Sequence, residues 1–561
     1  MMRTRLLVTA GLLATSCLAL TVHAAPPGPL ADGPMGAAAD VAWMQDLETK
    51  MNDNLHGGKA VPVSFGTAEQ VPGDVVGTGA WGDSGLWTGV YLGGEALRYA
   101  TAKAHLKRLV PGWDGKGKAE DAPGHVGVVV DEEQVAFWTA QRDQALARVR
   151  TIQAAEHVDI TIAEDWNGTL KVPPGVNPGG LPEPVGAGEK HLADFGGGVI
   201  RGEKGMIMRA CTPTTLPLGI REGNRVYKIT WEHGDKQAYY CESSPSRDTY
   251  AGLTFGLLTT YDMVDDEALR TQIRADLLAM GEFLIKYGWT YPRPHGYVSA
   301  DHPFDGFYSP DLFLQVPAAR LNLTNAVRHV LADGDDPVAK AKWDGIWAEE
   351  LATQGPALAL SLQIDSHNPN DGYYPLNLHH LTAFNLLRTL TGAERAVVAQ
   401  AVSVMDTTTR DDMNAHFEAI MFSQTGDADR LSDAVRDLRA WQQYRVTSST
   451  THVDNRPRCN QGLACVPKDQ YTFTTPAGDV AWKPGSSTEL RAARPLPVAM
   501  RPPTDFLWQR VPTKLEEPQQ AATHREPGID YLTPYWVLRY YTEVEHPAQG
   551  PLPTWVGPAS N

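Results

Sequence analysis

The 561-residue sequence predicts a mainly α-helical protein in which helix packs on helix. Long stretches carry apolar residues at three- and four-residue spacing, the mark of one buried helical face. Short turns join those stretches in pairs, and strand and helix nowhere alternate regularly, which leaves helix against helix as the layer arrangement.

In chain order, "VAWMQDLETKMNDNLHG" opens the series, followed by "LWTGVYLGGEALRYATAKAHLKRL" and "EEQVAFWTAQRDQALARVRTIQAAEH". After an interruption come "DTYAGLTFGLLTTYDMV", "EALRTQIRADLLAMGEFLIKYGW", "FLQVPAARLNLTNAVRHVLADG" and "PVAKAKWDGIWAEELATQG". "LNLHHLTAFNLLRTLTG", the long run "AERAVVAQAVSVMDTTTRDDMNAHFEAIMFSQTG", "DADRLSDAVRDLRAWQQYR" and "IDYLTPYWVLRYYTEV" complete roughly eleven helices.

Two segments break the pattern. Residues 157–246 hold short strand-like runs, "VDITIAEDW", "MIMRAC", "RVYKITWE" and "QAYYCE", with "WEHGDKQA" as a hairpin tip. Residues 450–526 are Pro-rich and nearly helix-free, the character of a lid or binding rim. Because helices resume after each, both read as insertions on one face of a single catalytic domain spanning residues 25–561.

Residues 1–24 read as a secretory signal. Arg3 and Arg5 precede an apolar run, and Val22-His23-Ala24 supplies small residues at the cleavage positions. Cys17 as a lipid-modified cysteine is the weaker match, because the preceding "ATS" fits that signal poorly. No later segment is long and apolar enough to cross a bilayer, so the expected location is secreted or periplasmic. Four cysteines follow the signal, Cys211, Cys241, Cys459 and Cys465, and an even count in an exported chain reads as two disulfides. Cys459 and Cys465 close a local loop around "NQGLA", and Cys211 and Cys241 then tie two strands of the first insertion. The net charge of −17 favours solubility and argues against nucleic acid as a general partner.

A faint internal repeat supports a toroid. Gly89 and Gly93 in "GVYLG", and Gly252 and Gly256 in "GLTFG", lie four apart near a helix start, and an acid precedes each pair: Asp83 and Asp248. Glycine costs about 1 kcal/mol in a helix interior relative to alanine, so close approach of a neighbouring helix is the natural reason for it.

The segments "WGDSGLWTGVYLGGEALRYAT", "SRDTYAGLTFGLLTTYDMVDDEALRTQI", "LNLHHLTAFNLLRTL" and "GIDYLTPYWVLRYY" resemble inner helices of the (α/α)6 toroid, the six-hairpin glycosidase-like superfamily. The resemblance is one of pattern and covers helical blocks from about residue 37 to 545, with no full catalytic signature of any member family. It implies inner helices ringed by outer ones, with a sugar-binding cleft at one end. It further implies either glycoside hydrolysis with paired carboxylates or polysaccharide lysis with a Tyr or His base and a neutralising Arg or Asn. Fold alone does not choose between them.

Asp83, between Trp81 and Trp87, is a helix cap or a carboxylate flanked by stacking rings. In "SRDTY", Arg247 and Asp248 form a salt bridge or join Tyr250 in chemistry, since a nearby cation favours a phenolate. "DSHNPNDGYYPLNLHHLTAFN" brings Asp371, Asn377, His379 and His380 together; adjacent side chains on a helix diverge by roughly 100°, so at most one histidine faces a cleft. Asn414 and Glu418 share one helix side, with Glu418 bordering the interior. Tyr535 and Arg539 share another, and Tyr531 and Trp536 make that stretch either an aromatic wall or plain core.

No cofactor or metal is expected: "NPNDG" is a weak calcium match, and no H-E-x-x-H pattern occurs. P-loop, dinucleotide-binding and G-x-S-x-G signatures are missing as well. The sequence therefore predicts an exported carbohydrate-active hydrolase in which Asp83 and Asp248 flank the bond and Trp81, Trp87 and Tyr535 stack on sugar rings. Two alternatives stand beside it. One is β-elimination on a uronate polymer, with Tyr250 or His380 as base and Arg247 or Asn377 as neutraliser. The other is a non-catalytic glycan-binding or envelope protein.

Overall fold

A computed structural model describes residues 35–546 apart from 80, 111, 116, 118–130, 166–203, 206, 217–225, 231–237, 243–245, 287, 290–315, 367–373, 449–453, 468–471, 476–477, 482–488, 503, 505 and 517–520. The signal segment, Asp371 and the "NPNDG" run lie outside the described residues.

Among the described residues the chain is mainly helical, with twelve α-helices. They are α1 (Ala38–Asn54), α2 (Trp81–Leu109), α3 (Glu132–Asp165), α4 (Arg247–Met263), α5 (Glu267–Lys286) and α6 (Val316–Ala332). The rest are α7 (Pro337–Ser366), α8 (Tyr374–Thr389), α9 (Gly392–Thr409), α10 (Ala415–Thr425), α11 (Ala428–Ser448) and α12 (Ile529–Tyr540). None is long and apolar enough to cross a membrane.

Local chemistry sets several boundaries. Ser246 and Thr249 form a reciprocal capping box that starts α4. The long run expected to be one helix is split into α9 and α10, because Met413 adopts φ 51° and the Asn414 side chain accepts from the Phe417 amide to begin again. Gly426, at φ 67°, then ends α10 in a left-handed turn.

The strand expected at "VDITIAEDW" is instead the end of α3. Its β-branched residues suggested a strand, but Val149, Ile152, Gln153, Glu156, Asp159 and Ile160 continue one buried helical face. Two of those buried positions are acids, which hides the face from a hydropathy reading. Lys59 satisfies both, 2.9 Å from Glu156 and in contact with Asp159. The insertion keeps a three-stranded antiparallel sheet with Ala238–Glu242 between Ala210–Pro213 and Val226–Thr230. Cys211 lies directly opposite Cys241 and is bonded to it, and Cys459 is bonded to Cys465.

The Pro-rich stretch is more structured than a rim. Cys465–Pro467 pairs with Leu490–Ala492, and His524–Arg525 joins Val63–Phe65 and, through it, Val75–Thr78. Phe506, Leu507 and Trp508 are fully enclosed, so this part of the insertion belongs to the core.

The even-numbered helices contact one another in succession, α2 to α4, α6, α8, α10 and α12, and α12 packs back on α2. The odd-numbered helices pack against them, as α3 does on α2 and α11 on α10 and α12. At the α2–α4 contact the repeat glycines explain themselves. A β-carbon on Gly89 would collide with the Gly252 carbonyl, one on Gly252 with Leu86, and one on Gly256 with the Gly89 carbonyl.

Candidate functional site

The glycine contact brings the first turns of α2 and α4 together. Asp83 occupies the first turn of α2 and Asp248 that of α4. Gly85, two residues after Asp83, faces the Arg209 carbonyl and Thr249 so closely that a side chain there would clash. Arg209, just ahead of the inserted sheet, places Nη2 3.8 Å from Asp83 Oδ1, with both side chains partly exposed.

Both carboxyls are partly exposed, and charges crowd them. Burial pushes the Asp248 carboxyl above its ordinary range; Arg247 pulls it down, the negative charge of Asp83 pushes it further up, and Arg209 opposes. Asp83 itself retains contact with solvent and has Arg209 beside it. Tyr250 is buried behind them on α4.

Arg247 also lines a small cavity shared with α6 and α8, where Ala318, Pro375, His379 and Thr382 form the other walls. Its volume of about 20 Å³ is room for a single water. The sequence-predicted residues Arg247 and His379 thus line one cavity, although they lie far apart in the chain.

Further along the α8 and α10 starts is a set of buried polar groups. His380 is wholly enclosed, with Nδ1 2.8 Å from the Leu376 carbonyl and its ring stacked 3.8 Å from Phe417. Burial holds its pKa well below the usual value, so it is a neutral imidazole. Asn377 is fully buried, and neither amide atom has a partner among the described residues. His416 is in the same condition at both ring nitrogens, and burial lowers its pKa to about 3.

Phe506 lies between α2 and α10. It stacks 4.3 Å from Trp87 and meets His416 edge-on at 5.5 Å. Trp508 fixes this segment: its indole donates to the Asp530 carbonyl, and its own carbonyl accepts from Asn414 Nδ2 at 2.8 Å.

Several expected site residues lie in the core. Trp87 is enclosed because Phe506 covers its face. Tyr535 and Trp536 pack edge-on at 4.9 Å, and Tyr535 accepts from Arg539 at 3.0 Å with its pKa raised to about 12 by burial. Neither reaches solvent, so this stretch is packed core and no aromatic wall. Glu418 is buried in a two-pronged pair with Arg430 at 2.7 and 2.6 Å, an interaction that ties α10 to α11. The Trp81 side chain lies outside the described residues.

Arg209, His416 and Phe506 were missed by the sequence reading. Arg209 and Phe506 lie in the irregular segments and carry no periodic signal. His416 had one: Asn414-Ala415-His416 repeats the Asn377-Leu378-His379 pattern at another helix start. Among the described residues, no group of three or more side chains is placed to hold a metal ion. No family model, curated protein or solved structure matches this chain.

Proposed function

We propose that the protein is an exported glycoside hydrolase with the (α/α)6 toroid arrangement, acting at the starts of α2 and α4. The closed succession of even-numbered helices, flanked by odd-numbered ones, supports the toroid. Two disulfides and the signal-like leader support export.

The observation that carries the reading is the pair of acids on adjoining helix starts, one of which, Asp248, is pushed above its ordinary range by burial and by the other. Asp248, whose carboxyl is pushed up by burial and by the charge of Asp83, takes the part of the acid; Asp83, partly exposed beside Arg209, takes that of base or nucleophile. Asp248 gives its proton to the glycosidic oxygen as the C–O bond breaks. Asp83 serves the anomeric carbon, either as base for an attacking water or as nucleophile, and the distance between the carboxyls sets which.

The test is incubation of the purified protein with neutral and uronate polysaccharides. New reducing ends, lost in the Asp248→Asn variant, are expected. Ultraviolet absorbance from an unsaturated uronate would replace hydrolysis by β-elimination, and binding without turnover would remove the enzymatic reading.

A further inference from the structure

A second candidate site lies on the flank of the molecule, where α1, α2 and α3 meet. A groove of about 760 Å³ opens there, within the range of small-molecule sites. Its floor is Arg98 of α2, almost wholly buried. One helix carries both this residue and Asp83, but Arg98 lies roughly 22 Å further along the axis. The groove is therefore separate from the carboxylate pair.

Arg98 orients the walls. Its Nε donates to Gln141 Oε1 and its Nη2 to Gln144 Oε1, each at 2.9 Å. Arginine has donors only, so both amides must turn their oxygens toward it, and their NH₂ ends meet no acceptor among the described residues. Arg148 repeats the arrangement on the other wall. It donates to Asn52 Oδ1 at 2.9 Å and to the Glu48 carbonyl at 2.6 Å, which leaves the Asn52 NH₂. The lining is thus rich in hydrogen-bond donors.

Its charge is also unlike the rest of the chain. Glu48 and Glu95 both reach Arg98, at 3.0 and 3.2 Å. Burial pushes Glu95 up to about 8, whereas Arg98 pulls Glu48 low although it is buried too. The groove itself is lined by two guanidiniums, Arg98 and Arg148, against the single carboxylate of Glu48, an excess of positive charge in a chain of net charge −17. Phe137, Ala140 and Ala147 add an apolar strip along α3.

We infer that this groove binds a small carboxylate-bearing polyol, a uronate or its short oligomer. The carboxylate meets Arg148 and the floor, ring hydroxyls and ring oxygen accept from the amide NH₂ groups, and the C–H face lies on the Phe137 strip. The inference stands independently of the hydrolase reading.

Calorimetric titration at neutral pH tests it, with D-glucuronate as probe and glucose and succinate as controls. Glucuronate is expected to bind at least tenfold tighter than either control. Ala147→Trp, at an exposed α3 position, fills the groove and is expected to cut glucuronate affinity tenfold or more while the melting temperature stays within a few degrees. Gln144→Glu keeps an oxygen for Arg98 and replaces the free donor by an acceptor; it decides the matter by the same tenfold loss if the tryptophan variant does not fold. Asp248→Asn is expected to bind glucuronate normally. No glucuronate binding, unchanged affinity in the groove variants, or equal affinity for succinate or glucose would overturn the assignment.

Discussion

Gly89 and Gly252 meet backbone to backbone, with no room for a β-carbon on either. This contact sets α2 and α4 at the close spacing that places Asp83 and Asp248 within each other's electrostatic reach.

Gly89→Ala is therefore expected to cost about 3 kcal/mol, the upper part of the range for overpacking, read by urea denaturation. Gly345 provides the control. It lies in α7 with nothing within 4 Å of where its β-carbon would be, so Gly345→Ala should stabilise by about 0.5–1 kcal/mol. Equal effects at the two positions would refute the interlock.

Asp83→Asn and Asp248→Asn should each lower the hydrolytic rate by about 10²–10⁴-fold, the usual contribution of a positioned acid or base. Neither aspartate lies in the packed core, so thermal melting should move by only a few degrees. Full activity in both variants would reduce the pair to helix capping.

The pH profile of kcat/KM should be bell-shaped, with its alkaline limb above the ordinary carboxylate range, because Asp248 must be protonated to donate. Removing the Asp83 charge takes away one cause of that rise. The residual activity of Asp83→Asn should accordingly show its alkaline limb moved to lower pH; an unmoved limb means that the two carboxyls do not sense each other.

Stability should also fall with rising pH. Glu95 and Asp159 are buried and both raised to about 8, so the native state keeps protons that the unfolded chain has already released. Their contribution is complete below the unfolded carboxylate values and is lost by the time pH passes about 8. The neutral buried histidines His380 and His416 act in the opposite sense, but only below about 6.5. Between pH 6.5 and 8.5 the melting temperature should drop by roughly 5 °C. Glu95→Gln, uncharged throughout, should remove a substantial part of that drop.

Legibility differed by segment. The long helices were readable because their apolar spacing repeats every three to four residues. The end of α3 was not, because two of the buried positions on its face are acids paired to Lys59, a residue about a hundred positions earlier. The site divided in the same way. Asp83 and Asp248 stood out through the glycine repeat, whereas Arg209 and Phe506 arrive from segments without periodicity.

The sequence by itself determined the helical character, the two disulfides and the two acids beside paired glycines, because each depends on local spacing or residue type. Tertiary structure decided the rest: which aromatic rings are closed off, that the Asp248 carboxyl is pushed above its ordinary range, and that Arg98 orients two glutamines at a groove. Those outcomes depend on burial and on charges brought close by packing, and neither quantity exists until distant parts of the chain meet.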